Sequence, residues 1–171
     1  MSIRFRLTTA AACLALTGVL VAGCGSASES SASAPTAADL ESQIEQMLSG
    51  LRTSGAAAEA CVSGQTVASA AEARCLSVPY NDSATIEGRF VTYLDDVADA
   101  SSGTCATKLK ALASAYRPLV ADQRALAVAA DAGDAAAVNR LLASPAAARH
   151  AKVARATATA AAGKAIVEAC S

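Results

Sequence analysis

Large apolar side chains are scarce in this sequence, and they recur at helical spacing. Hydrophobic residues make up 53% of the 171 residues, but only 3% are aromatic and there is no Trp, so the apolar fraction is mostly alanine. Alanine has the highest helix propensity and buries little area per residue. The large apolar residues of the first segment share one helical face: Leu40, Ile44, Met47, Leu48 and Leu51. The pattern predicts an all-α bundle of about five or six helices.

Capping residues and helix breakers predict the helix boundaries. Thr36, followed three residues later by Asp39, resembles a capping box and predicts the start of the first helix. Gly50 and Gly55 predict its end, and Ser63–Gly64 predict a break within the following alanine-rich region, so that Cys61 and Cys75 lie on different segments. Further breaks and N-caps are expected at Pro79, Asn81 and Asp82 or Ser83; at Ser101, Ser102 and Gly103; at Asp131–Asp134; and at Ser144 with Pro145.

A proline interrupts one later segment of regular helical spacing. Pro118 lies within the apolar pattern that follows Thr104, where it predicts either a kink or two helices placed end to end. The last helix is expected to continue to about Cys170. We therefore expect the bundle to occupy residues 36–171.

The first 23 residues have the composition of a secretory signal. Arg4 and Arg6 form a basic start, and Leu7–Val21 form an apolar run with few interruptions. A positively charged start followed by such a run is typical of export signals. The run is shorter than the roughly 20 apolar residues that cross a bilayer, so we expect a signal peptide rather than a membrane helix.

The end of this signal carries a specific motif. Val21, Ala22, Gly23 and Cys24 resemble the lipobox of bacterial lipoproteins, and the alanine-rich composition resembles the small helical lipoproteins of high-G+C Gram-positive bacteria. The resemblance implies cleavage before Cys24, a diacylglyceryl group on its thiol, and anchoring at the outer face of the cell membrane. The alternative is an ordinary secretory signal with a chance cysteine. Residues 24–35, rich in Gly, Ser and Ala, are expected to form a flexible tether with a reach of about 20 Å.

Four cysteines remain for the helical domain, namely Cys61, Cys75, Cys105 and Cys170. An even number outside the cytoplasm predicts two disulfides, for which three connectivities exist. A zinc site is the alternative, but the paired C-x-x-C units of such sites are missing. Because Cys105 lies near a helix start and Cys170 near a helix end, two antiparallel helices would bring them together. We therefore favour Cys105 with Cys170 and, by remainder, Cys61 with Cys75.

The two halves of the mature chain carry opposite net charge. Residues 24–99 hold 11 acidic and 3 basic residues, whereas residues 100–171 hold 4 acidic and 9 basic residues. We expect the halves to neutralise each other across packed helices. The alternative is a basic surface that meets an anionic lipid, an envelope polymer or a partner protein.

Groups suited to catalysis or metal binding are few. The single histidine, His150, lies beside basic residues, and no serine has a nucleophile-elbow context. The tightest acidic cluster consists of Asp95, Asp96 and Asp99. Two of these could share a face and hold calcium or act as an acid and base pair, but no calcium-loop pattern is present. We expect salt bridges to bases of the second half, of which Lys108 and Lys110 are nearest in sequence.

These observations favour binding over catalysis. Nucleic-acid binding lacks the basic excess and the aromatic side chains that it needs. We expect no enzyme, no cofactor and no metal. The first hypothesis is an interaction or structural lipoprotein of the cell envelope that contacts the membrane through its lipid and an envelope protein or polymer through a helix face. The second is a carrier of a small apolar ligand or lipid in a cavity between helices.

Overall fold

The computed structural model describes residues 36–158, 164, 166 and 168–170. Five helices have defined bounds: α1 (Ala37–Ala60), α2 (Ala70–Ala100), α3 (Gly103–Asp131), α4 (Ala135–Leu142) and α5 (Pro145–Ala158). Residues 168–170 are helical as well, and none of the described residues lies in a β-strand. The predicted all-α fold is confirmed.

Helix α1 begins where the sequence predicted and ends later. The Thr36 hydroxyl accepts a hydrogen bond from the Asp39 amide, and the Asp39 carboxylate accepts one from the Thr36 amide at 2.8 Å, which confirms the capping box. The predicted end at Gly50 and Gly55 is wrong, because the helix continues to Ala60. A glycine costs a helix interior only about 1 kcal/mol, which the packing of a long amphipathic helix can offset.

Helix α2 corrects the predicted loop at Pro79, Asn81 and Asp82. The 31-residue helix runs through all three positions without interruption, and Pro79 is buried within it. Proline lacks the amide that would bond the carbonyl four residues earlier, at a cost of about 3 kcal/mol. Helices α2 and α3 share the largest interhelical interface of the described chain, and this burial offsets the loss.

The other helix boundaries follow the sequence. Helix α2 ends before Ser101, and the Asp134 carboxylate caps α4 by accepting a hydrogen bond from the Ala137 amide at 2.8 Å. Gly133 adopts a φ of 71°, a left-handed conformation that glycine tolerates best. Helix α3 is a single helix through Pro118, so the alternative of two helices end to end is wrong.

Helices α2 and α3 are antiparallel neighbours. Asp99 pairs with Lys110 at 3.1 Å, and Asp95, one turn earlier, pairs with Arg117 at 2.7 Å. The pair farther from the turn on α2 is therefore also the pair farther from the turn on α3, as in antiparallel helices. These contacts confirm salt bridges between acidic residues of the first half and basic residues of the second, and they include two of the three clustered aspartates.

Two separate hydrophobic clusters form the core. The larger cluster joins α1, α2 and α3, and its aromatic pair, Phe90 and Tyr116, packs edge to face with ring centroids 5.4 Å apart. The smaller cluster lies where α2, α3 and α4 meet, at the far end of α1. Its buried members are Val67, Ala73, Leu76, Leu126, Ala130 and Val138.

Both disulfides have the predicted pairing. Cys61, which caps the end of α1, is bonded to Cys75 in α2, with 5.4 Å between the Cα atoms. Cys105 at the start of α3 is bonded to Cys170, with 4.8 Å between the Cα atoms. The first bridge joins α1 to α2, and the second ties the C-terminal helical residues to the larger cluster.

Candidate functional site

A crevice lies between the two hydrophobic clusters. Its volume is about 260 Å³, which approaches the range of pockets that hold small molecules. Leu51 on one wall packs against the larger cluster, whereas Leu126 on another belongs to the smaller cluster. The other apolar lining residues come from all helices except α3: Ala58, Pro79, Leu141, Leu142, Ala146 and Ala147. Every described helix therefore contributes to one concave surface.

Buried polar side chains are concentrated on this surface. Four polar or charged residues of the described chain are buried, and three of them, Ser54, Ser83 and Gln123, line the crevice. The fourth, Glu87, lies one helical turn beyond Ser83. Polar groups in a core of close-packed helices are costly unless they are hydrogen-bonded. The crevice is therefore the part of the described core in which most of the buried polar side chains lie.

The two serines keep their hydroxyls available to the crevice. Ser54 is 6% exposed and Ser83 is 8% exposed, yet neither hydroxyl forms a hydrogen bond to another described residue. A hydroxyl can donate one hydrogen bond and accept two. Water or a ligand in the crevice is therefore the partner that these groups can use.

A carboxylate completes the polar part of the wall. Asp122 on α3 lines the crevice, and its Oδ2 lies 3.6 Å from Nη2 of Arg149 on α5. That distance is too long for a hydrogen bond, and no described residue donates one to this oxygen. The pair is an ion pair in which the Arg149 side chain is mostly exposed, whereas Oδ2 of Asp122 is shielded from solvent.

A second depression of about 280 Å³ adjoins the crevice. The two share Ala58, Tyr80 and Leu142, so Tyr80 stands between them. Burial raises the pKa of the Tyr80 phenol above its ordinary value; the group is a neutral hydrogen-bond donor at physiological pH in either case. Leu142 is one of the few large apolar residues exposed in the described chain.

The loop between α1 and α2 forms one wall of this depression and is held by many bonds. The Glu72 carboxylate accepts hydrogen bonds from the Ser63 hydroxyl and the Ala68 amide, both at 2.7 Å. The Asn139 side chain, from α4, accepts from the Val67 amide at 3.0 Å and donates to the Val67 carbonyl at 2.9 Å. The loop tip, residues 64–66, remains exposed. Loops held in this way on a helical scaffold commonly carry binding residues.

Hydrogen bonding also explains the electrostatics of Glu72. The pKa of this carboxyl is lowered, first by the hydrogen bond from the Ala68 amide and then by that from the Ser63 hydroxyl. Both bonds favour the charged form. The loop therefore keeps its fastening at neutral pH.

Among the described residues, the structure does not bring the predicted site residues together into one site. The cysteines form disulfides on the described helices, whereas Cys24 and the recognition residues Val21, Ala22 and Gly23 lie outside the described residues. The acidic cluster lies on α2, away from the crevice, with Asp96 exposed. The side chain of His150 also lies outside the described part. Within that part, no three His, Cys, Asp or Glu side chains gather as metal ligands would.

The sequence reasoning raised a cavity between helices as the alternative carrier role, but it did not identify the residues that line the crevice. One signal was present, because Ser54 continues the apolar stripe of Met47 and Leu51 at helical spacing, and Ala58 follows it. A polar residue on an apolar stripe indicates either a buried hydrogen bond or a wet surface. The corresponding position on α2 is Ser83. Because a loop was predicted at Pro79, Ser83 was not placed on the same helix face as Pro79.

Among the described helices, none combines the length and the apolar character needed to span a bilayer. No protein-family model matches this sequence, and no curated protein or solved structure is detectably similar to it.

Proposed function

We propose that this protein is a membrane-anchored extracytoplasmic lipoprotein that serves as an interaction or structural component of the cell envelope. The lipobox-like motif ending at Cys24 supports the anchor. The single structural observation that supports an interaction role is the fastened loop with its exposed tip, residues 64–66, next to a depression that includes the exposed side chain of Leu142. The proposal assigns no catalytic residue.

The position of this surface suits a partner beyond the membrane. Helix α1 has 24 residues and is therefore about 36 Å long. The tether sequence precedes its first residue, whereas the loop follows its last. The loop therefore lies at the end of α1 opposite the residue that the tether sequence joins, where it remains open to a partner.

The anchor is tested with Cys24→Ala. The wild-type protein should incorporate labelled fatty acid and enter the detergent phase on phase separation, and Cys24→Ala should do neither. Lipid incorporation by the variant would contradict the assignment of Cys24.

The interaction surface is tested by crosslinking and pull-down from detergent extracts. Leu142→Glu places a charge in the depression, and Val128→Glu is the matched control, because Val128 is an exposed apolar residue that lines neither concavity. Wild type and Val128→Glu should recover the same envelope partner, whereas Leu142→Glu should lose it. Equal recovery by both variants, or no reproducible partner for any of them, would count against the proposal.

A second candidate function is favoured by the crevice of about 260 Å³. In this role the domain carries a small apolar ligand between its helices, in keeping with a wall made largely of Leu, Ala and Pro side chains. Native mass spectrometry of the purified Cys24→Ala protein should show a copurified small molecule or a complex with an added one. A mass that stays at the apo value under both conditions would contradict this role.

A further inference from the structure

We infer that the crevice binds a small primary amine with an apolar body, held at its ammonium group by Asp122. This inference rests on the carrier role and adds the chemical class of the ligand. Among the described residues that line the crevice, Asp122 is the one that is charged, and none of them is a Lys or Arg. The described wall therefore presents a carboxylate and hydroxyl groups within an apolar enclosure.

The Asp122 carboxylate has capacity for a new donor. Its side chain is 32% exposed, and no hydrogen bond to it from the described residues is found; because Oδ2 is shielded from solvent, Oδ1 is the oxygen that a donor in the crevice would bond. Two oxygens can accept about four hydrogen bonds. Arg149 neutralises the charge from the rim at 3.6 Å, but its own side chain is mostly exposed. An ammonium group inside the crevice can bond the carboxylate without displacing a hydrogen bond already made.

The serine hydroxyls extend the same recognition. Ser54 on α1 and Ser83 on α2 line the crevice with hydroxyls that have no hydrogen-bond partner in the described chain. An ammonium group carries three donors and no acceptor, and each of the Ser54, Ser83 and Asp122 side chains can accept. A ligand with a carboxylate would instead face the charge of Asp122, and a hydrocarbon would leave all three groups without partners.

The volume limits the apolar body. A cavity of about 150 Å³ holds one benzene ring, so a crevice of about 260 Å³ suits a chain or ring system of roughly six to ten carbons. Hexylamine, hexanol and hexanoate form a matched set of probes at the lower end of this range. They share the alkyl chain and differ in the charge and hydrogen-bonding pattern of the head group.

The test is isothermal titration of the purified full chain with the three probes at neutral pH. Hexylamine should bind about tenfold or more tightly than hexanol, since hydrogen bonds to charged groups are the stronger ones, and hexanoate should bind most weakly. Amide chemical-shift changes on adding hexylamine should be centred on Ser54, Ser83 and Asp122. This second measurement locates the site in the unmodified protein.

Variants separate the head-group contact from general charge. Asp122→Asn should remove the preference for hexylamine over hexanol. Asp95→Asn is the matched control, because Asp95 is similarly exposed at 35%, also pairs with an arginine, and lies outside the crevice; it should leave the preference unchanged. Gly55→Leu should weaken all three probes, because a Cβ at Gly55 meets nothing within 4 Å and a larger side chain there occupies the crevice.

The outcomes distinguish this inference from the carrier role. Equal binding of hexylamine and hexanol, weakened in both cases by Gly55→Leu, would overturn the amine specificity and leave the carrier role standing. A preference for hexylamine that survives Asp122→Asn would overturn the assignment of Asp122. Binding of none of the probes by the folded protein, or shift changes that map elsewhere, would overturn both.

Discussion

Removing the Cys105–Cys170 bridge is expected to destabilise the protein more than removing Cys61–Cys75. The bridges span sequence separations of 65 and 14 residues. A crosslink stabilises mainly by lowering the entropy of the unfolded chain, and the effect grows with the logarithm of loop length. The expected losses in the free energy of unfolding are about 4 kcal/mol for the longer loop and about 3 kcal/mol for the shorter one at 25 °C.

The folded structure should survive the removal of either bridge. Without Cys61–Cys75, the loop retains its bonds to Glu72 and Asn139, so its native geometry should persist. Without Cys105–Cys170, the C-terminal residues keep apolar contacts of Val153 and Ile166 with the larger cluster. Neither removal leaves a buried polar group unpaired. The difference between the two variants should therefore come largely from the unfolded chain.

The assay is urea unfolding and thermal unfolding, both followed by circular dichroism, on Cys61→Ala/Cys75→Ala and Cys105→Ala/Cys170→Ala beside the wild type. Each kcal/mol corresponds to about 2–4 °C in Tm for a chain of this size, so the longer-loop variant should melt about 8–16 °C below the wild type. A smaller loss for the longer loop than for the shorter one would refute the entropic reasoning. Rapid tryptic cleavage of the C-terminal segment at unchanged stability would show instead that this segment detaches locally.

Three further predictions concern single side chains. Gly55→Ala should raise the free energy of unfolding by about 0.5–1 kcal/mol, whereas Gly50→Ala should gain less, because its Cβ would lie 2.9 Å from Cδ1 of Ile86; paired urea titrations compare them. Tyr93→Phe should stabilise by about 1 kcal/mol, because the buried Tyr93 hydroxyl has no hydrogen-bond partner in the described chain. Glu72→Gln should lower stability at pH 7 but not under acidic conditions. A carboxyl whose pKa is lowered on folding stabilises the folded state above its unfolded pKa, and this contribution is lost as the pH falls through the lowered folded pKa. Urea titrations from pH 7 to pH 3 measure the difference between Glu72→Gln and wild type.

Each of these outcomes has a clear opposite. Equal gains at the two glycines would mean that the side chain of Ile86 moves aside without cost. A destabilised Tyr93→Phe would indicate a hydroxyl partner in solution. A stability difference for Glu72→Gln that persists unchanged at pH 3 would show that the charge of this carboxylate does not fasten the loop.

Local rules predicted most helix boundaries and failed at two kinds of position. The N-caps at Thr36 and Asp134 depend on bonds between residues three apart, which a short stretch of sequence already contains. Pro79 and Gly50 break helices in isolation, but in this fold they lie inside helices that pack along their length. Interhelical packing decides such positions, and it depends on residues far away in the sequence.

The candidate site shows the same division more strongly. The sequence supplied the polar and apolar residues, but the crevice exists only because α1 to α5 converge around it. The Asn139 side chain is hydrogen-bonded to the Val67 backbone across a separation of 72 residues, and no local sequence pattern predicts that bond. The polar residues of the wall form a candidate site only because the fold brings them to one enclosed surface.

The sequence by itself determined the helical class and most of the helix ends, and it favoured the cysteine pairing that the structure shows. Alanine content, apolar spacing and capping are properties of neighbouring residues, and Cys105 and Cys170 lie at positions that antiparallel helices bring together. Only the tertiary structure decided the continuity of α2 through Pro79, the separation of the core into two clusters and the crevice between them. These features depend on how whole helices fill space against one another, and the energy of that packing is shared among residues that the chain holds far apart.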